Sequence, residues 1–199
     1  VFFIGSIPFG FLIGKFWLKI DIRKKGSGNI GMTNLMRIGG KWPGLATFFL
    51  DFLKGFLVIE YIKLNNLFID NNLINQNLTL IIVGITCILG HIFSIFLKFK
   101  GGKGISTLFG FLFSFDVLIG ILSSLVWIIM FLFRKISSLS ALTTLFFIPW
   151  FYLIVQKFRI NTYLWFEFFI IFALCSLLIY KHQKNIKDLI LGKEYKFKS

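Results

Sequence analysis

Long apolar runs restrict the fold of this chain more than any other feature of its sequence. Each is close to the roughly 20 residues with which a helix crosses the hydrocarbon of a bilayer. Hydrophobic residues make up 57% of the chain, and a soluble domain of this size has too little interior to cover so much apolar surface. The sequence therefore predicts an all-α integral membrane protein. Five such runs cover residues 1–18, 43–62, 78–97, 139–156 and 162–180.

A sixth apolar run is too long to be a single span. It extends from residue 105 to residue 133 and is interrupted only by Asp116. As one helix it would measure about 43 Å, against a hydrocarbon core of about 30 Å. If the run instead turns at Ser114, Phe115 and Asp116, it gives two shorter helices, and the number of spans rises from six to seven.

The basic residues decide between six and seven spans. With seven, one side of the membrane carries segments 15–41, 98–103, 134–135 and the tail from 181, which hold 18 of the 22 Lys and Arg residues. Cytoplasmic segments of membrane proteins carry this kind of excess. We therefore predict one domain of seven spans over residues 1–199, with the N-terminus outside, the C-terminus in the cytoplasm, and a few residues missing before Val1. The net charge of +14 then reflects orientation and attraction to anionic lipid rather than nucleic-acid binding.

One predicted cytoplasmic segment, GSGNIGMTNLMR at residues 26–37, is rich in glycine and in hydrogen-bond donors. Its glycines permit tight turns, and amide N–H groups in such a loop, where it leads into a helix, form a concave anion site. A polar loop that only caps helix ends has the same composition. The donors are Ser27, Asn29, Thr33, Asn34 and Arg37.

A second segment, KFKGGKG at residues 98–104, places three lysines and three glycines between two apolar runs. A charged side chain this close to hydrocarbon is energetically costly unless it is solvated by water or paired with an anion. The segment is not a nucleotide P-loop, because Gly104 follows Lys103 where that motif requires Ser or Thr. His91 lies about two turns before these lysines, where it is either a structural hydrogen-bonder or a partner of a bound phosphate. The same alternatives hold for His182.

For the charged and small residues inside the spans, the sequence predicts structural roles. Asp51 and Lys54, three residues apart, are predicted to pair within one helix turn. Gly10 and Gly14 form a small-xxx-small pair that is typical of helix packing in membranes. The two cysteines lie in separate apolar runs and are expected to pack rather than to bind a metal.

Six motifs occur in a fixed order along the chain, and together they resemble the bacterial acyl-phosphate:glycerol-3-phosphate acyltransferases, the PlsY family. The resemblance covers nearly the whole chain. It implies a bacterial inner-membrane enzyme that transfers a fatty acyl group from acyl phosphate to the sn-1 hydroxyl of glycerol 3-phosphate. The products would be lysophosphatidic acid and inorganic phosphate, in the first step of phospholipid biosynthesis. The motifs are GSIPFG (5–10), DIRKKGSGNIGMTNLMR (21–37), DFLKG (51–55), GHIFSIFLKFKGGKG (90–104), SSLSA (137–141) and HQKNIKDLILGKE (182–194).

The resemblance also implies an active site on the cytoplasmic face. Its partners would be acyl phosphate, glycerol 3-phosphate and membrane lipids, with no metal, cofactor or nucleic acid. The donor's own phosphate would take the proton of the attacking hydroxyl, with His91 or His182 as the alternative base. Catalytic roles fall to Ser27, Arg37, Lys103, His91, Asn185 and Glu194. Substrate-binding roles fall to Asn29, Thr33, Asn34, Lys100, Gly101, Gly102, Gly104 and His182, the glycines acting through their backbone amides.

Two residues depart from the family pattern, and one other class of protein fits the loops. Met32 stands where we expect alanine and adds bulk beside the first loop. Ser94 stands where proline is usual, and we expect it to straighten the helix that enters KFKGGKG. A transporter or channel for phosphate-like anions would also need basic glycine-rich loops, but it would place polar groups on both faces of the membrane.

Overall fold

The computed structural model describes residues 1–65, 73–161 and 164–197, and every regular element in those ranges is helical. Two short 3₁₀ turns, Ile22–Lys24 and Ile95–Leu97, belong to the loops between helices. The helices are α1 (Phe2–Ser6), α2 (Phe9–Phe16), α3 (Met32–Gly39), α4 (Lys41–Leu64), α5 (Leu73–Ile92), α6 (Ile105–Phe115), α7 (Val117–Arg134), α8 (Ser137–Ile160), α9 (Trp165–Lys181) and α10 (Gln183–Ile190).

Several of these helices match the predicted spans. Within the described residues, three segments are long and apolar enough to cross a bilayer, namely Gln76–Leu97, Val117–Arg134 and Ser137–Ile160. A fourth is added if α9 and α10, which meet at an angle of 60°, form one span. With 11 residues, α6 is only about 16 Å long. The span predicted from residue 162 begins, within the described residues, at Trp165.

The chain divides into two compact units, Val1–Phe115 and Asp116–Ser199. In the first unit, glycines let helices approach closely. A Cβ on Gly5 of α1 would lie 2.1 Å from the carbonyl oxygen of Cys87 in α5. A Cβ on Gly110 of α6 would lie 1.9 Å from that of Phe52 in α4. Backbones this close have no room for a side chain, as expected for helices that pack in a membrane.

Gly10 and Gly14 do more than the helix packing that their spacing predicts. A Cβ on Gly10 would lie 1.8 Å from the carbonyl oxygen of Ile30, although Thr47 of α4 is also near, at 3.0 Å. One on Gly14 would lie 2.3 Å from the side chain of Ile22. The prediction of helix packing was therefore incomplete, because α2 uses both glycines to receive the loop that follows it.

The second unit begins where an acidic residue interrupts the long apolar run. Asp116 accepts hydrogen bonds from the amides of Leu118 and Ile119, at 3.0 and 3.4 Å, and so caps the first turn of α7. Arg159 at the end of α8 pairs with the same carboxylate, with Nη1 2.7 Å from Oδ2. The predicted break at residues 114–116 is confirmed, because α6 ends at Phe115 and α7 begins at Val117.

Candidate active site

The loop before α3 is folded around the side chain of Asn34, which is 2% exposed. Its Oδ1 accepts the backbone N–H of Ser27 at 2.8 Å. Its Nδ2 donates to the carbonyl oxygen of Asn29 at 2.8 Å and, over longer distances, to those of Ile22 and Lys25. The sequence predicts that Asn34 binds substrate; in the structure its amide group is used by loop backbone that has no helical or strand partners.

Glycines and an Asx turn complete this loop. Gly26 and Gly28 have φ of 56° and 75°, values that cost a residue with a Cβ about 1 kcal/mol or more. A Cβ on Gly26 would also lie 2.3 Å from Asn34 Oδ1. Asn29 Oδ1 accepts the amide of Gly31 at 2.8 Å, which bends the chain into the N-terminus of α3. The glycines are therefore needed for the fold of the loop.

The short helix α3 carries Thr33 and Arg37 four residues apart, so both lie on one face. Each is partly exposed.

An ion pair precedes the loop: Arg23 Nη2 lies 2.7 Å from Asp21 Oδ2, and Asp21 also caps the 3₁₀ turn by accepting the Arg23 amide. The Arg23 hydrogen bond lowers the pKa of Asp21 to about 2. This carboxylate is thus committed to the turn rather than to proton transfer.

The glycine-lysine loop folds back onto the end of α5. The amide of Gly101 donates to the carbonyl oxygen of Ile92 at 3.0 Å, and that of Gly102 donates to the carbonyl oxygen of His91 at 3.1 Å. These carbonyls belong to the last turn of α5, which has no partners within the helix. The sequence predicts that both glycine amides bind phosphate; in the structure they cap the end of α5.

Ser94 does not straighten the helix that enters the loop, as we had expected. α5 ends at Ile92, and Ser94 has φ of −57° and ψ of 119°, an extended conformation close to the one that proline favours. Its hydroxyl donates to the carbonyl oxygen of Ser6 at 2.5 Å. Lys98 and Phe99 follow with φ of 53° and 61°, a left-handed turn that side chains resist.

The remaining residues of this loop lie at the entrance to α6. Lys103 is partly exposed and Lys100 is exposed. Gly104 is buried, has φ of 83°, and is followed at once by the first residue of α6, Ile105. The N–H groups in the first turn of a helix have no intrahelical partners and favour anions. Lys103 thus comes two residues before Ile105, the start of a helix N-terminus of this kind.

The two loops of the first unit stand on one hydrophobic cluster. Ile22 and Ile30 from the first loop and Leu35 from α3 share it with Leu97, which introduces the second loop. Ile13 of α2 completes the buried set. The structure thus brings together at one end of the unit the two segments that the sequence singled out.

Beneath the second loop lies a buried charged cluster that the sequence predicted only in part. The pair of Asp51 and Lys54 is confirmed, with Lys54 Nζ 2.8 Å from Asp51 Oδ1. His91, 5% exposed, joins it through Nδ1, which lies 2.7 Å from Lys54 Nζ. No spacing in the sequence places His91, 37 residues after Lys54, in this cluster.

The tail residues lie in the second unit. His182 is 3% exposed at the junction of α9 and α10, and its Nδ1 is 2.7 Å from the carbonyl oxygen of Leu178. Asn185 Nδ2 donates to Glu194 Oε1 at 2.8 Å. The amide of Phe197 donates to the carbonyl oxygen of Lys135 at 2.8 Å, which fixes the end of the tail beside the start of α8. No group of His, Cys, Asp or Glu in the described ranges is arranged to hold a metal ion.

The helices and loops together define a class: a helical membrane protein with two glycine-rich loops that carry basic residues. Over residues 1–192 the chain matches the family model described as glycerol-3-phosphate acyltransferase. It is 40% identical to a glycerol-3-phosphate acyltransferase of Pelagibacter ubique, over 99% of this chain and 94% of that relative. The chain therefore belongs to the glycerol-3-phosphate acyltransferase family.

Two solved structures are similar to this chain along nearly its whole length. Both are crystal structures of PlsY, an integral membrane glycerol 3-phosphate acyltransferase, and both are 34% identical to this chain. The glycerol 3-phosphate form has a TM-score of 0.82 and covers 99% of this chain and 92% of its own. The lysophosphatidic acid form has a TM-score of 0.78 and covers 99% and 91%. The chain is thus an integral membrane protein of the PlsY family.

Proposed function

We propose that this chain transfers a fatty acyl group from an acyl phosphate to the sn-1 hydroxyl of glycerol 3-phosphate, in the first step of phospholipid biosynthesis. The products are lysophosphatidic acid and inorganic phosphate. Family membership supports the acceptor, since the PlsY relatives are described in forms with glycerol 3-phosphate and lysophosphatidic acid. The observation that carries the proposal is the pair of loops at residues 26–37 and 98–104, which stand on one hydrophobic cluster.

The reaction explains why the loops are basic and polar. Both substrates carry phosphate, so their mutual repulsion must be offset by cations and N–H donors. We assign the donor phosphate to Ser27, Thr33 and Arg37, with Arg37 able to make a two-pronged contact. Asn29 and Asn34 shape that loop.

Glycerol 3-phosphate is assigned to Lys103, with Lys100 and the start of α6 at Gly104 adding positive potential. Gly101 and Gly102 contribute by letting the loop lie against α5. Asn185 and Glu194 are proposed to act in catalysis as a hydrogen-bonded pair, with His182 fixing the helix junction before them.

The chemical step needs no acyl-enzyme. The sn-1 oxygen attacks the acyl carbonyl carbon, the bond from that carbon to the bridging phosphate oxygen breaks, and the leaving phosphate keeps both electrons. A phosphate oxygen takes the hydroxyl proton, so the products balance without a protein base. Positioning and charge stabilisation then supply the rate enhancement.

Burial of the two histidines supports this route over general-base catalysis. His91 and His182 are 5% and 3% exposed, and Nδ1 of each has a partner at 2.7 Å. A general base must come within hydrogen-bond reach of the hydroxyl that it deprotonates. Both rings are instead held against protein atoms.

We further propose that the chain forms one domain with seven crossings of the bacterial inner membrane, its N-terminus outside and its active site facing the cytoplasm. The distribution of Lys and Arg supports this orientation. At about 16 Å, α6 is shorter than the hydrocarbon core of about 30 Å that it would cross.

The test supplies purified protein in lipid nanodiscs with palmitoyl phosphate and glycerol 3-phosphate. Lysophosphatidic acid and inorganic phosphate are expected to appear in equal amounts. Palmitoyl-CoA should give no product, and Lys193→Ala, which alters an exposed tail lysine, should be as active as the unaltered chain. Transfer from palmitoyl-CoA but not from the acyl phosphate, or movement of phosphate across vesicles without acyl transfer, would contradict the proposal.

A further inference from the structure

Lys54 is the centre of a buried network that the proposed reaction does not use. Its ammonium group has three N–H donors and three partners: Asp51 Oδ1 at 2.8 Å, His91 Nδ1 at 2.7 Å and the carbonyl oxygen of Ile7 at 3.1 Å. The side chains of Lys54 and Asp51 are each 2% exposed. We call Asp51, Lys54 and His91 the Lys54 network.

Such a network is a poor way to gain stability alone. Burying two charges costs several kcal/mol for each ion, and a well-packed apolar pair often stabilises a protein as much or more. Ionisable groups within a membrane are costly for the same reason and usually serve a function. We therefore looked for the function of the network in the part of the protein that it holds in position.

The network fixes the chemical form of the His91 ring. His91 Nδ1 also lies 3.5 Å from Asp51 Oδ1, but the ammonium group of Lys54, ion-paired with Asp51, can only donate. We therefore infer that Nζ donates to His91 Nδ1 across their 2.7 Å contact. A neutral imidazole carries a single N–H, and we therefore assign the proton of His91 to Nε2. This nitrogen faces the glycine loop, since a Cβ on Gly102 would lie 2.2 Å from it.

The loop above the ring depends on such support. Lys98 and Phe99 adopt left-handed conformations, which residues with a Cβ resist. The loop is held in that shape where Gly101 and Gly102 lie on the end of α5, through the carbonyls of Ile92 and His91. A turned or displaced His91 ring would meet Gly102 directly.

We propose that the Lys54 network positions the Gly101–Gly104 loop, and thereby sets the affinity for glycerol 3-phosphate without taking part in the chemical step. Lys54 and Asp51 are positioning residues: they act through His91, whose ring carries the loop. The inference rests on the proposed function in assigning glycerol 3-phosphate to this loop.

The kinetic test compares Lys54→Met with Lys63→Met. Both alter a lysine of α4 that is ion-paired to a carboxylate three residues earlier, Asp51 at 2.8 Å or Glu60 at 3.7 Å. Lys54→Met is expected to raise the KM for glycerol 3-phosphate about tenfold, the effect of losing one buried hydrogen-bond partner. The KM for acyl phosphate and kcat should change less than about twofold, and Lys63→Met should change none of the three.

A double-mutant cycle shows whether Lys54 acts through the loop. If it does, Lys54→Met adds little to the rise in KM that Gly102→Ala causes alone, because the loop is already displaced; independent effects would multiply. The ¹⁵N spectrum of histidine-labelled protein gives a readout that does not need turnover. The chain has two histidines, and the His91 Nε2–H form should be present in the unaltered protein and lost or mixed in Lys54→Met.

Each outcome separates this inference from the proposed function. If the unaltered protein transfers no acyl group, the proposed function fails, and the ¹⁵N spectrum still decides the form of His91. If it is active and Lys54→Met leaves the KM for glycerol 3-phosphate unchanged, or raises both KM values alike, the positioning role is wrong. If Lys54→Met does not fold, the same measurements are made on Asp51→Asn. This substitution weakens the interaction between residue 51 and Lys54 but keeps the lysine in place.

Discussion

Asn34 Oδ1 accepts the backbone amide of Ser27 at 2.8 Å across seven residues of chain. The donors of the same side chain serve backbone carbonyls of the loop, including that of Asn29 at 2.8 Å. One buried amide group thus replaces the regular hydrogen bonding that this segment lacks. Ser27, the proposed contact to the donor phosphate, is held in position by Asn34.

Asn34→Asp is therefore expected to unfold the loop. The carboxylate keeps the acceptor for Ser27 but has no N–H for the carbonyls, and it buries a charge beside them. We expect a loss of about 3 kcal/mol in stability and turnover below a hundredth of normal. Thermal unfolding in detergent and initial rates measure both. Asn65→Ala, at an exposed asparagine that donates to Tyr61, is the control; equal effects of the two variants would contradict the role of Asn34.

The fold and the location of the two loops followed from the sequence because they depend on local features. Runs of apolar residues set the helices, and Asp116, by capping α7, marks where the long run divides. The partners of individual side chains and backbone amides could not be predicted from the sequence. Lys54 and His91 are 37 residues apart, and no spacing rule joins two helices. The inward-facing Asn34 amide and the glycine amides bonded to α5 likewise depend on which backbone groups the fold leaves without partners.

The Asn185–Glu194 pair predicts a graded response to substitution. Glu194→Gln keeps an oxygen that accepts from Asn185 Nδ2, now 2.8 Å from Oε1, whereas Glu194→Ala leaves that amide without its partner. We expect Glu194→Gln to retain about a tenth of kcat/KM and Glu194→Ala to lose about a hundredfold or more, a difference of at least 1.4 kcal/mol. Asp188→Ala, at a carboxylate of α10, the helix that carries Asn185, is the matched control. If Glu194→Gln is as impaired as Glu194→Ala, the charge of Glu194 matters more than its hydrogen bond.

Gly10→Ala is expected to push the first loop away from α2. The new methyl group would lie 1.8 Å from the carbonyl oxygen of Ile30, and backbone cannot move aside as a side chain does. Overpacking of this kind costs about 1–3 kcal/mol. Gly39→Ala is the control, since its Cβ would meet only the end of the Leu18 side chain, which can rotate. The melting temperatures of the two variants test this prediction. A larger fall in melting temperature for Gly39→Ala than for Gly10→Ala would contradict the close packing of the loop against α2.

Asp21 gives a prediction in acid. Its pKa is lowered from 3.8 to about 2, chiefly by the Arg23 hydrogen bond. A carboxylate with a depressed pKa stabilises the fold above its unfolded pKa, and this contribution fades as pH falls toward the folded value. The unaltered protein should therefore melt above Asp21→Asn at pH 5 and higher, with the gap closing between about pH 4 and pH 2. A gap that stays constant over this range would show that the ion pair is not its source.

Substitutions of Lys103 and Arg37 test most directly whether the two loops bind the phosphates of the two substrates, because each loop contributes one of these residues. Lys103→Ala should raise the KM for glycerol 3-phosphate and lower kcat/KM by about a thousandfold, the scale on which a charged group acts on phosphate in a site shielded from water. Arg37→Lys keeps the charge but not the two-pronged geometry, so it should impair the acyl phosphate KM more than that of glycerol 3-phosphate. Both variants should melt as the unaltered protein does, with Lys193→Ala as the neutral reference. If each variant raised the KM of the opposite substrate, the two loops would have to exchange their assigned phosphates.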